Sequence, residues 1–264
     1  MLEAYYGLNG RPFDKSCKID ELFLSKSMNE LLSRLEYMKQ CRGIMLITGA
    51  PGAGKTTALR FFAGKLSPLS YKYFYIPLST VNVLDFYRQL NRSIGGEPFH
   101  FKSRLFNSIQ SRIRDMAVNS KIIPVLIFDE AHLLKNENFQ ELQMLSNFSM
   151  DSADPAIIII AGQPHLAERL MRPVLISFHQ RIVLKFHLDP LEKEEILPFV
   201  SHILSARGLY KSPFSEAAME AMFKNTGGVP RLISSLALKT MTCGMLSRSQ
   251  VLTEEHVFQA AREL

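Results

Sequence analysis

An eight-residue run, Gly49-Ala50-Pro51-Gly52-Ala53-Gly54-Lys55-Thr56, constrains this chain more than any other feature. It has the form G-x-x-x-x-G-K-[ST] at every fixed position. A short apolar run, 43–48 (GIMLIT), leads into it and a helix-length segment, 55–66, leads out. The glycines let the backbone wrap so that its N–H groups point inward at phosphate oxygens. Lys55 can reach the β- and γ-phosphates, the Thr56 hydroxyl can hold Mg²⁺, and Thr57 extends the cradle into a helix whose N-terminus faces the anion. An accidental match is expected in about one chain of this size in a hundred. The strand–loop–helix context makes accident rarer still.

Further apolar runs follow at 71–78 (YKYFYIPL), 122–128 (IIPVLIF), 156–161 (AIIIIA) and 181–188 (RIVLKFHL). Runs of this length, rich in Ile, Val and Phe, suit strands buried on both faces of a parallel sheet; the last alternates more. Helix-length segments at 27–41, 55–66, 82–94, 103–118 and 137–149 separate them. The expected core is therefore a three-layer α/β/α domain of the P-loop NTPase type, with a mainly parallel five-stranded sheet. Beyond residue 190 the strand signal stops, and 190–207, 214–224, 229–246 and 253–263 read as helices. Gly227-Gly228 before Pro230 marks a break between two of them. The division expected is 1–189 as the nucleotide-binding core and 190–264 as a helical lid.

The run 125–130 (VLIFDE) is an apolar strand ending in two acids. Beside a phosphate loop, Asp129 would order the magnesium shell and Glu130 would polarise the attacking water. The expected cofactors are ATP and Mg²⁺, with Thr56 and Asp129 on the metal. An Asp-Glu pair also argues for hydrolysis over phosphoryl transfer to a second small substrate. His132 follows closely and either contacts the site or caps the turn. Tyr5, Tyr6 and Phe13, ahead of the first helix, are candidates for lining an adenine pocket.

The net charge is +6 and the pI about 9.2, a weak pointer to a polyanionic partner, nucleic acid first. Lys102, Arg104, Arg112, Arg114 and Lys121 lie within twenty residues of one another, opposed by Asp115. Arg104, Arg112 and Lys102 are expected to share a helix face that neutralises phosphates without reading bases. A solvated helix face is the plain alternative. The three cysteines make neither a CxxC pair nor a zinc spacing and point to a reducing compartment. No secretory leader and no run long enough to span a bilayer are visible, so a cytoplasmic protein is expected.

The acid pair within Asp129-Glu130-Ala131-His132, then Met150-Asp151-Ser152, Ala161-Gly162-Gln163-Pro164, Gln180-Arg181-Ile182 and Gly228-Val229-Pro230-Arg231, resemble the AAA+ ATPases of the ExeA/TnsC group, the transposition target-selection ATPases of MuB/TnsC type among them. The opening YYGLNGRPF is similar too, and the resemblance covers nearly the whole chain. It implies an AAA+ core with a helical lid, ATP at a subunit interface, and self-association into rings or helical filaments. It places Gln163 at the first sensor, Arg231 at the second sensor in the lid, and Arg181 as the arginine given in trans, with Arg169 and Arg172 as rivals. Ser79 or Thr80 could hold Glu130 away from water, or cap a helix. The transposition branch implies sequence-tolerant binding of double-stranded DNA, a transposase partner and no membrane. The absence of a membrane segment before Leu264 favours that branch as an expectation. The alternatives are an ExeA-like secretion or assembly ATPase acting on a protein partner, and a regulatory module that binds ATP with little turnover.

Overall fold

The computed structural model describes residues 2–14, 21–77 and 82–262. In chain order the elements are α1 (Leu2–Tyr6), α2 (Lys26–Cys41), β1 (Gly43–Gly49), α3 (Lys55–Lys65), β2 (Tyr71–Pro77), α4 (Val83–Ser93), α5 (Lys102–Arg114), β3 (Ile123–Asp129) and α6 (Asn136–Leu145). They continue with β4 (Ile157–Gly162), α7 (His165–Leu170), α8 (Ile176–Gln180), β5 (Ile182–Leu188), α9 (Lys193–Ser205), α10 (Glu216–Thr226), α11 (Pro230–Leu246) and α12 (Glu254–Ala261). Ser79 and Thr80 lie outside the described residues. Among the described residues, no helix is long and apolar enough to cross a membrane.

The chain forms two compact units. The first, Glu30–Gly49 with Lys55–Leu188, holds a five-stranded sheet in the order β2-β3-β4-β1-β5. Every strand pair is parallel, as strands joined through helices must be when the crossovers keep one direction. The central strands β1 and β4 are buried along their whole length, which their unbroken apolar runs anticipate. Successive residues point to opposite faces. Ile44 and Leu46 join one cluster with Phe86, Leu105, Ile109 and Phe139 of α4, α5 and α6, whereas Met45 and Ile47 bury on the other face. The edge strand β5 buries only alternate residues, matching its alternating sequence. The other edge, β2, leaves Tyr73 and Tyr75 about half exposed.

The second unit comprises Met1–Asn29, Ala50–Gly54 and Asp189–Leu264. Its core gathers Ile196, Val200, Met222, Ile233, Leu236 and Val257 from α9 to α12. Tyr6 belongs here as well, donating its hydroxyl to the Met241 carbonyl at 2.9 Å. Gly227 closes α10 in left-handed conformation, and Pro230 opens α11. Gly228 (φ +78°) can carry no side chain, because a Cβ would lie 2.1 Å from the Leu191 carbonyl oxygen.

Candidate functional site

Parallel register brings the sequence-derived acids to one edge of the sheet. Thr48 of β1 pairs with Gly162 of β4, and Phe128 of β3 pairs with Ile160 of β4. Gly49, Asp129, Glu130 and Gln163 therefore all lie at the carboxyl ends of adjacent strands, where open α/β sheets place their ligands. Gly49 admits β5 closely: a Cβ there would meet the Leu188 carbonyl oxygen at 2.8 Å.

Asp129 is 3% exposed and tightly held. Its Oδ2 accepts from the Thr56 hydroxyl at 2.6 Å and, in a longer contact of 3.4 Å, from the Tyr75 hydroxyl. Its Oδ1 accepts from the Glu130 N–H at 2.9 Å. Burial, and then the Asp129 charge, raise the Tyr75 pKa above the usual phenol value, so the hydroxyl stays protonated and can donate. Sequence reasoning missed Tyr75. The available signal was its place on the neighbouring strand, two residues short of Pro77, which pairs with Asp129.

Lys55, at the start of α3, is 6% exposed and donates to the Gly49 carbonyl at 2.8 Å. Between Gly49 and Lys55, Gly52 (φ +85°) and Gly54 (φ +108°) take conformations that side chains disfavour. Ala53 N–H donates to the Ala50 carbonyl at 3.1 Å, tightening the loop. Within the second unit, Arg231 at the head of α11 donates its N–H to the Gly52 carbonyl at 3.3 Å. A Cβ on Gly52 would strike the Arg231 Cβ at 2.7 Å, so the glycine serves both its φ and this approach. Pro51 is exposed, Ala50 and Thr57 half-buried.

Hard oxygen donors on Thr56 and Asp129, 2.6 Å apart, suit magnesium. That ion is commonly held by one or two protein groups together with phosphate and water oxygens. The positive-φ glycines, followed by an eleven-residue helix, suit phosphate. The residues present thus fit a magnesium nucleotide.

Glu130 leaves β3 in left-handed conformation (φ 51°, ψ 33°) with its carboxylate about half exposed. Close by, Arg169 of α7 donates to the carbonyls of His132 (2.9 Å) and Leu134, and lies over the Phe139 ring. Those bonds engage Arg169 in holding the 131–134 turn. Arg172 is exposed.

Arg181 caps α8 one residue before β5. Ile44 pairs with Ile182, and Gly49 with Leu188, so Arg181 sits at the opposite end of the sheet from Gly49. At about 3.3 Å per residue the separation is roughly 20 Å, beyond the reach of an arginine side chain. It lines a small cavity with Asp154, Phe148 and Val183.

The basic cluster is redistributed. Lys102 pairs with Glu141 at 2.5 Å, and Tyr87 donates to the same carboxylate at 2.7 Å. Arg112 donates through Nε to the Ile94 carbonyl at 3.2 Å. The shared face expected for Arg104, Arg112 and Lys102 is thus corrected: Leu105, Ile109 and Ile113 set the buried side of α5, and Arg104 and Arg114 occupy the exposed side. Lys121 is exposed in the turn before β3, at φ +56°.

Residues 38–170 match the AAA domain family, and the chain belongs to it. Over its whole length the chain is 27% identical, across 271 residues, to General secretion pathway protein A of Aeromonas hydrophila, and spans 48% of that protein. Two solved structures share the fold. Cdc6p from Pyrobaculum aerophilum gives a TM-score of 0.68 at 16% identity, covering 95% of this chain and 70% of that one. Drosophila ORC bound to DNA gives 0.65 at 18%, covering 99% and 64%. The architecture is the P-loop AAA+ fold.

Proposed function

We propose that this AAA domain is a magnesium-dependent ATP hydrolase that assembles on double-stranded DNA and presents the target to a transposase. The observation that carries the hydrolase reading is the Thr56–Asp129 pair beside Glu130, at the strand ends that also deliver Gly49 and Gln163.

Backbone N–H groups of residues 50–56 and the Lys55 ammonium would hold the phosphates, and Thr56 and Asp129 the ion. Bound there, magnesium supplies neutralisation of charge on the phosphate oxygens. Glu130 takes the proton of the attacking water, a role worth roughly 10²–10⁴ in rate. Gln163, level with Gly49, orients that water or the terminal phosphate. Arg231 answers from residues 190–264, acting as a lid. Arg181, out of reach of its own chain's phosphate loop, serves the site of a second copy. An arginine supplied in trans is worth roughly 10³–10⁵. Hydrolysis would then depend on self-association in a ring or filament.

The DNA reading is supported by the net charge of +6, by exposed Arg104, Arg114 and Lys121, and by the solved relative bound to DNA. A second reading, an ATPase acting on a protein partner in secretion or assembly, is favoured by the similarity to General secretion pathway protein A. ATP turnover by the purified chain, with and without long duplex DNA at low and moderate salt, separates them. Stimulation that fades with salt supports the DNA coat; turnover indifferent to DNA, without DNA retention, refutes it. Glu130→Gln that binds ATP but does not turn it over identifies a working hydrolase rather than a regulatory binding module.

A further inference from the structure

The turn that follows β3 places a second functional group beside the base, and its role rests on the reading of Glu130 as that base. The His132 side chain is 9% exposed, and its Nδ1 lies 3.4 Å from Oε2 of Glu130. That nitrogen is buried without a hydrogen-bond partner. A buried polar atom without a partner is costly and rare, so its placement calls for an explanation. The Glu130 carboxylate, about half exposed, is the group within reach.

The ring is fixed by its surroundings. His165 packs edge-to-face on it, with centroids 5.3 Å apart. Arg169 holds the His132 carbonyl. Gly162 gives the turn room, since a Cβ there would lie 3.2 Å from the His132 backbone nitrogen. Burial lowers the imidazole pKa below the usual histidine value; His165, Lys55 and Arg169 act in the same direction, and Glu130 opposes them. The ring is therefore neutral at neutral pH. A neutral imidazole can donate one N–H to a carboxylate without giving up a second proton to the base.

We propose that His132 is the positioning residue of the hydrolytic base: its Nδ1–H donates to the Glu130 carboxylate and fixes the direction in which that carboxylate meets water. The contact closes by rotation of the Glu130 side chain from 3.4 Å to hydrogen-bond distance. The left-handed backbone at Glu130 makes this geometry specific, because it turns the chain sharply enough for residues 130 and 132 to face one another.

The test uses the full chain. His132→Asn places an amide N–H near the position of Nδ1, whereas His132→Gln places one near Nε2. The expected result is that His132→Ala and His132→Gln lose about tenfold to a hundredfold in kcat, with unchanged KM and ATP Kd, while His132→Asn retains most of the rate. A structural role would instead lower the melting temperature and weaken ATP binding in all three. Nitrogen-15 NMR of nucleotide-free protein gives a readout independent of turnover: the His132 ring should be the neutral Nδ1–H tautomer, and Glu130→Gln should shift its Nδ1 resonance. An Nε2–H tautomer, wild-type kcat in His132→Ala, or equal impairment of the Asn and Gln variants would each overturn the proposal. Wild-type turnover in Glu130→Gln would overturn the underlying reading of Glu130 and this proposal with it. Loss in Glu130→Gln beside full activity in His132→Ala would overturn this proposal alone.

Discussion

Replacing Arg169 by alanine should destabilise the sheet unit strongly. The guanidinium bridges two backbone carbonyls, of His132 and Leu134, and stacks 5.1 Å above the Phe139 ring. Hydrogen bonds to a charged donor contribute about 1.5–3 kcal/mol each. Part of that is offset because the half-buried guanidinium is itself unfavourable: its buried Nε has no partner, and burial, then Arg172, lower its pKa from the usual value. A net loss of about 2–4 kcal/mol remains. For a chain of this length each kcal/mol shifts the melting temperature by about 2–4 °C. Arg169→Ala should therefore melt roughly 5–15 °C below wild type. Arg169→Lys should recover less than half of the loss, because one ammonium cannot span two carbonyls. Circular dichroism at 222 nm during heating measures both. An Arg169→Ala protein melting within about 1 °C of wild type would refute the assignment of Arg169 to the turn.

Tyr6 gives the second unit a pH limit. Burial pushes its pKa up to about 12, so its contribution is intact below the unfolded value near 10 and is lost as pH rises from there through 12, by up to about 3 kcal/mol. Urea melts between pH 9 and 12 should show that loss, and Tyr6→Phe should flatten it. Gly228→Ala should cost about 1–3 kcal/mol from its left-handed backbone alone, and more from overlap with the Leu191 carbonyl; a melting temperature equal to wild type would contradict the geometry. Tyr75→Phe removes a long contact to Asp129, so the half-saturating magnesium concentration for turnover should rise a few-fold while the rate at saturating magnesium stays within about twofold. Arg181→Ala and Glu130→Gln should each be inactive alone, yet a mixture should regain turnover, because each subunit type supplies what the other lacks. A mixture no faster than its components would rule out a finger in trans.

Much of this was legible in the sequence because the sheet is buried. Unbroken apolar runs marked β1, β3 and β4 to within a residue or two, and the greater alternation in the 181–188 run agrees with the place of β5 at the sheet edge. Asp129 and Glu130 could be placed because parallel strands end at one edge of the sheet, although β4 lies between β3 and β1. The short helices α7 and α8 were not legible: six and five residues give no periodicity, and they are set by packing of Leu166, Leu170 and Phe178 into the core. One helix was expected over 103–118; from Asp115 to Asn119 the chain instead widens into a π turn. The basic cluster misled for a related reason. Spacing gives a helical angle, but Glu141 and the Ile94 carbonyl, which claim Lys102 and Arg112, come from other elements. The role of Arg169 was hidden likewise, since its acceptors are backbone carbonyls that no side-chain pattern announces.

The direction of the strands has a mechanistic consequence. In a parallel sheet every strand delivers its last residue to the same edge, so Gly49, Asp129, Glu130 and Gln163 converge without any long-range design. The same rule sends the residue before β5 to the far edge, and Arg181 is that residue. A cation needed at the γ-phosphate cannot be both there and at the phosphate loop of its own sheet. It can reach a phosphate only when the far edge of one copy meets the near edge of another. Such a contact would be heterologous, head to tail, and contacts of that kind close into rings or propagate as helices according to the rotation between neighbours. A strand polarity fixed by the crossover helices would thereby make turnover a report of assembly. On the proposed reading, exposed Arg104 and Arg114 of α5, with Lys121 of the turn before β3, would set where that assembly forms, through salt-dependent attraction to a phosphate backbone.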